Sequence, residues 1–419
     1  MTFEELGLSP STINALQECH ITTPTHIQEQ AIPAVLKGLD VIGMSKTGSG
    51  KTAAFGLPLL ERINTKKGLQ AIILAPTREL AVQICGELEK WSTTMGVRYA
   101  TVYGGVSLDP QTRAMKKAHV IVATPGRLID HMQRGNVDLS TISMFVLDEA
   151  DKMVEMGFIE DVERILSQTS EKRQILLFGA TISNEVDMIK SKYMTNPVTA
   201  KSDAHVDRGK LQQYYYNVKS NEKFSLLVHL LRKENCGNVI IFCSKRSTVD
   251  LLSDNLRKEG FKVHMIHGKL SQSRRLKVID AFNKGKQSIL IGSAVAARGL
   301  HIDSITHVFN YDLSSDPQEY VHRIGRTARA GQEGKAVTLL GPHDHDAFGD
   351  ILHRYDVKVK ELPKPQFKRL AFCVQQRGRG KPGRMQRGRR ERRHEPRREQ
   401  RPVRKERSRS ENWVEEKTW

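Results

Sequence analysis

Eight consecutive residues, Ser45-Lys46-Thr47-Gly48-Ser49-Gly50-Lys51-Thr52, follow the apolar run Val41-Ile42-Gly43. A Gly-rich turn opening a helix aims several backbone N–H groups at one point, where they can hold phosphate oxygens. In such a turn Lys51 would neutralise terminal phosphate charge and Thr52 would offer its hydroxyl to Mg²⁺. The strict pattern has Gly where Ser45 stands, and a Gly-rich turn that binds nothing is the plain alternative. Further on, Val146-Leu147 runs into Asp148-Glu149-Ala150-Asp151. There Asp148 could hold Mg²⁺ through water while Glu149 orients an attacking water, although acids at a strand end also serve simply as helix caps. A third group is His322-Arg323-Ile324-Gly325-Arg326-Thr327-Ala328-Arg329. Arg326 and Arg329 share one helical face and could clamp a transferring phosphoryl group; a solvated basic helix is the alternative.

These groups need rigid supports. Short apolar runs rich in β-branched residues recur at Ala71–Leu74, His119–Val122, Met144–Leu147, Gln174–Phe178, Val239–Phe242, Ser288–Ile291 and Ala336–Leu340. Each leads into a turn and then a helical pattern, as in parallel sheets covered by helices on both faces. The rhythm breaks at the polar stretch 203–210, which reads as a linker. The expected organisation is an α/β domain over 1–202 and a second over 211–362, followed by a disordered, Arg-rich tail over 363–419.

Composition narrows the partners. The 419 residues carry a formal net charge of +19 and are 38% hydrophobic. From Cys373 onward there are 17 Lys and Arg against 7 Glu and no Asp. Such a balance favours a polyanion, and no apolar stretch is long enough to span a bilayer. The opening Met1–Glu5 lacks the basic and apolar regions of a secretion signal. Five cysteines, scattered and never in CxxC spacing, give no disulfide framework or zinc signature, so a reduced, cytoplasmic protein is expected.

As a set, the motifs resemble those of DEAD-box RNA helicases. Pro24-Thr25-His26-Ile27-Gln28, the phosphate loop, Pro76-Thr77-Arg78-Glu79-Leu80, Gly104-Gly105, Thr124-Pro125-Gly126-Arg127 and Asp148–Asp151 appear in that family's order. Gly179-Ala180-Thr181, Phe242-Cys243-Ser244, Ala297-Arg298-Gly299 and the arginine motif follow. The opening residues and the Arg/Gly tail look most like bacterial, RhlE-like members. The resemblance implies two tandem RecA-like domains, with ATP and Mg²⁺ as cofactors. It implies adenine reading by Gln28 and phosphate binding by Ser45 to Thr52. Catalysis would fall to Lys51, Asp148, Glu149, Arg326 and Arg329. An RNA path would run over Arg78, Gly105, Thr124 and Arg127 on the first domain, and over Gly268 and Ser293 on the second. Gly179 and Thr181 would couple hydrolysis to unwinding. Glycine loops and hydroxyls of this kind touch sugar and phosphate, so RNA would be bound with little sequence readout.

Some residues depart from the family pattern. Gly179 stands where Ser is usual, Ser293-Ala294 where Thr-Asp is typical, His301 where a ribose-binding Asp is expected, and Lys269 for Asp. Ile21 occupies a place often held by an aromatic, whereas Phe3 keeps the upstream one. Three functions compete: an RNA helicase acting on short duplexes, an ATP-gated RNA clamp or annealer that unwinds little, and a DNA-acting motor. Pro24–Gln28 and Asp148–Asp151 argue against the last. Ribosomal or RNA-decay proteins are the partners that such a reading would supply. The tail would tether RNA; simple solubilisation is its alternative.

Overall fold

The computed structural model describes residues 1–45, 48–181, 183–201, 211–234, 236–285, 288–293, 305–313, 317–328, 333–355 and 358–374. The expected linker over 203–210, together with Lys46, Thr47, Ala294, His301 and Arg329, lies outside them.

Alternation along short strands builds two sheets. The first holds β1 (Val41–Met44), β2 (Ala71–Leu74), β3 (Tyr99–Val102), β4 (Val120–Ala123), β5 (Met144–Leu147), β6 (Gln174–Gly179) and β7 (Val198–Lys201). Their order is β3-β4-β2-β5-β6-β1-β7, every pair parallel. Ile73, Val122, Val146 and Leu176 point into one core, and Ile72, Ile121, Phe145 and Ile175 into another on the opposite face. Burial on both faces is why these runs are continuously apolar.

The second sheet repeats the plan with β8 (Leu211–Asn217), β9 (Asn238–Phe242), β10 (Val263–Ile266), β11 (Ile289–Gly292), β12 (Ile305–Asn310), β13 (Gly334–Leu340) and β14 (Lys360–Glu361). Its order, β10-β11-β9-β12-β13-β8-β14, is again parallel throughout. Two successive sheets of this kind are the tandem RecA-like architecture. No helix among the described residues is long and apolar enough to cross a membrane.

The expected tail boundary needs moving. Residues 363–374, assigned to a disordered tail, lie instead as a strap on the second domain. Phe367, Leu370 and Phe372 pack against its core, and Phe372 meets Phe224 at 5.2 Å between ring centroids. Lys364 and Arg369 grip Glu222 at 2.9 and 2.8 Å, while the Leu370 and Cys373 N–H groups donate to Ser225 and Asn255. The strap joins no sheet, so periodicity does not reveal it. Phe372→Ala should lower unfolding stability by about 1–2 kcal/mol, roughly half the cost at a fully buried Phe. Urea denaturation checks this; an unchanged midpoint would mean that the strap adds no stability.

Candidate active site

Parallel sheets place their functional loops beyond the carboxyl ends of the strands. The loop after β1 enters the helix Lys51–Arg62 through Gly50, whose φ of 90° lies in the left-handed region. A Cβ there would also stand 2.3 Å from Gln28 Nε2, so only Gly fits. Gln28 braces the loop: its Nε2 donates to Gly50 O at 3.0 Å and its Oε1 accepts from Thr25 N at 2.9 Å. Thr25 Oγ1 donates to Ser49 O at 2.8 Å. Ser45, the residue off the strict pattern, accepts from the Ser49 hydroxyl at 2.7 Å, and its carbonyl takes Lys51 Nζ at 3.0 Å.

Across this loop, β5 ends in Asp148 and Glu149, both 3% exposed. Glu149 adopts φ 54°, unusual for a residue with a side chain, and caps the helix Ala150–Glu155. Backbone strain of this kind persists where surroundings enforce it and concentrates at functional sites. Lys152 Nζ lies 2.5 Å from Glu149 Oε1. Burial pushes the Asp148 carboxyl up to about 7, opposed by the Lys51 ammonium and reinforced by Glu149. Gln28, Gly48, Gly50, Lys51, Thr52, Asp148 and Glu149 line one cleft of about 250 Å³. The Asp148 carboxylate and Thr52 hydroxyl are hard oxygen donors, a set that fits Mg²⁺ retaining several waters.

The second domain touches the helix Ala150–Glu155 with its own helix Pro317–Ile324. His322 Nε2 reaches Glu155 Oε1 at 3.6 Å. Burial lowers the Lys152 ammonium most, Glu149 works against that, and the Arg326 guanidinium lowers it further. Arg326 itself lies past the end of this helix, in a turn where Ala328 takes φ 55°, and so is not carried on the helical face that the sequence suggested. Arg323 anchors its helix from within: it is 1% exposed, donates to Asp312 O at 2.6 Å, pairs with Glu319 and sits over the Phe242 ring.

Around the ends of β2, β3 and β4 lie the first-domain residues Arg78, Gly105, Thr124 and Arg127. Gly105 has φ 83°, and a Cβ on it would stand 2.3 Å from Arg78 Nη1. Arg127 Nη1 donates to Val106 O at 3.0 Å, and Thr124 is the N-cap of its helix. Gly268 and Ser293 lie just beyond β10 and β11. Asp151 Oδ2 accepts from the Ala180 and Thr181 N–H groups at 3.0 and 3.2 Å, tying the acidic turn to the Gly179–Thr181 segment.

Residues 25–189 match the DEAD/DEAH box helicase family and residues 222–331 the helicase conserved C-terminal domain. The CshA DEAD-box ATP-dependent RNA helicase of Geobacillus kaustophilus is 45% identical over 367 residues, spanning 87% of this chain and 79% of the relative. The CshA helicase of Limosilactobacillus reuteri is 43% identical over 368 residues, 87% and 74% of the two chains. The chain belongs to the DEAD-box ATP-dependent RNA helicase family. Its fold is similar to that of S. cerevisiae Dbp5 bound to RNA and ADP BeF3, with TM-score 0.77, 32% identity, and 87% and 96% of the two chains covered. These curated relatives bear the CshA name rather than that of the RhlE-like members to which the opening and tail pointed.

Some parts of this DEAD-box site were not assigned from sequence. Trp91 lines the cleft along with Ile21, supplying an aromatic residue there. Phe3 is buried in the first-domain core, 4% exposed. Glu79, within the Pro76–Leu80 motif, accepts from Gln272 at 3.0 Å and pairs with Arg275 at 2.9 Å across the domain interface. Gln272 and Arg275 carry no local signal, because a polar helix start reads as surface.

Proposed function

We propose that this chain is an RNA-dependent ATPase that remodels short RNA duplexes or RNA–protein complexes. The observation supporting this reading is the contact of His322, on the second domain's helix Pro317–Ile324, with Glu155, on the short helix that Glu149 opens. Lys51 and the loop N–H groups bind the phosphates and Glu149 orients water. Thr52 and Asp148 would hold Mg²⁺, which would supply neutralisation of phosphate charge there. Gln28 keeps one amide N–H and one lone pair free of its loop contacts in the inventory of an amide, enough to read an adenine edge. Arg78, Gly105, Thr124, Arg127, Gly268 and Ser293 would form the RNA path and Arg326 would meet the γ-phosphate; Arg329, given the same role from sequence, lies outside the described residues. A cytoplasmic setting, with ribosomal or RNA-decay proteins as partners, suits this activity. RNA-stimulated ATP turnover measured beside displacement of a short duplex tests it; turnover without RNA dependence would contradict it.

A second reading, an ATP-gated clamp with weak unwinding, draws on Gly179. A Cβ there would lie 3.2 Å from Thr181 O and 3.4 Å from Asp151 Oδ1, so a serine hydroxyl would stand beside the Asp151 junction. Gly179→Ser should raise duplex displacement about fivefold, the worth of one hydrogen bond of about 1 kcal/mol. The Thr181 backbone need yield only by a few tenths of an ångström. Unchanged displacement would remove Gly179 from the coupling account.

A further inference from the structure

We propose that Glu234, Cys236 and His307 form a binding site for a divalent transition-metal ion of the zinc type, at the amino-terminal ends of the second sheet's inner strands β9 and β12. The three donor atoms, carboxylate, thiol and imidazole, lie within 4.8 Å of one another, and each residue is half-buried. Such a mixed N, S and O set is the ligand chemistry of zinc.

The arrangement is braced independently of any ion. Thr306 Oγ1 accepts from Gly237 N at 3.0 Å, donates to Asn238 O at 3.3 Å and meets His307 Nδ1 at 2.9 Å. That one hydroxyl holds the Cys236–Asn238 stretch against β12 and orients the imidazole so that Nε2 faces Glu234 at 3.0 Å. A polar partner on the other ring nitrogen is how metal-binding histidines are oriented. Gly237 permits the approach, since a Cβ there would stand 2.8 Å from the Thr306 methyl. Beside the cluster opens a cavity of about 650 Å³, lined by Glu234, His307, Lys335, Tyr216, Leu362 and Pro363. It provides an entry path and room for a water as fourth ligand, and it runs beneath the start of the strap.

Lys335 is the competing cation. Its Nζ lies 2.9 Å from Glu234 Oε2 and 5.1 Å from the Tyr214 ring centroid. Ion binding therefore exchanges cations: the Cys236 thiol releases one proton to solvent as the S–metal bond forms, and the Lys335 ammonium moves away from the carboxylate. CxxC spacing rules do not detect such a site, because its third ligand comes from a distant strand.

The test uses the metal-stripped full chain, titrated with zinc chloride by calorimetry in two buffers of different ionisation enthalpy, and with cobalt(II) by absorption. The expected result is a single ion per chain, proton release and a cobalt–thiolate band. Cys236→Ser abolishes the band, and Cys236→Ser or His307→Gln weakens zinc by at least about tenfold, the lower bound for losing even a residue that supports a ligand. Lys335→Met binds zinc more tightly. Should Cys236→Ser fail to fold, the wild-type band and the Lys335→Met gain decide. Equal zinc binding by folded wild type, Cys236→Ser and His307→Gln, absence of the thiolate band, or no gain in Lys335→Met overturns the proposal and leaves an ion-paired cluster.

Discussion

Glu149→Gln should lower ATP turnover by roughly 10²–10⁴-fold, the usual contribution of a positioned acid–base group. The amide keeps the shape of the carboxylate but loses the charge that draws a proton from the attacking water. Glu149 sits on a backbone of φ 54°, so its direction is set by the fold rather than by substrate. Because Lys152 lies 2.5 Å from Glu149 Oε1, the substitution also removes that charge pair. A nucleotide-binding measurement separates the effects: turnover falls while ATP affinity stays within a few-fold. Wild-type turnover in saturating RNA would show that Glu149 has no part in the chemistry.

Arg326→Ala should cost about 10³–10⁵ in kcat, the range for an arginine supplied to a phosphoryl-transfer transition state. Arg326 belongs to the second domain, whereas Lys51, Asp148 and Glu149 belong to the first. Its loss should therefore spare ATP binding by the first domain's cleft while removing hydrolysis. Arg326 is only 6% exposed, so unfolding must be controlled, and Arg326→Lys serves that purpose. Lysine keeps the charge but lacks the planar fork, so it should rescue folding and little of the turnover. Equal kcat in wild type and the lysine variant would reduce the residue to a local cation.

Much of this was legible in the sequence, for physical reasons. β2, β4, β5 and β11 are continuously apolar, and β6, β9 and β13 nearly so, because helices cover both faces. β8, reading Leu211-Gln212-Gln213-Tyr214-Tyr215-Tyr216-Asn217, lies next to the sheet edge with mostly half-exposed side chains, and it holds no continuous apolar run that would mark it. The strap reads as tail in sequence because Pro363–Val374 is polar on average, and its three apolar anchors follow neither helical nor strand spacing. It also follows that a truncation intended to remove the basic tail alone must end at Val374 rather than at Pro363.

Site residues divide in the same way. Lys51, Thr52, Asp148 and Glu149 lie in contiguous motifs whose strand–loop–helix setting was readable, and the fold gathers them in one cleft. Gln28 was assigned to adenine, yet its amide also braces the phosphate loop, a second duty visible only in three dimensions. The Glu79 contacts with Gln272 and Arg275 join segments of different domains, which no local pattern encodes.

The central claim is that RNA binding and ATP hydrolysis are one coupled event at a site shared by two domains. Steady-state ATP turnover of the full chain at saturating ATP, with RNA raised from zero to saturation, tests it most directly. The account predicts low turnover without RNA and a saturable rise of at least tenfold with it, corresponding to about 1.4 kcal/mol of coupling. Turnover that is the same with and without RNA would contradict it.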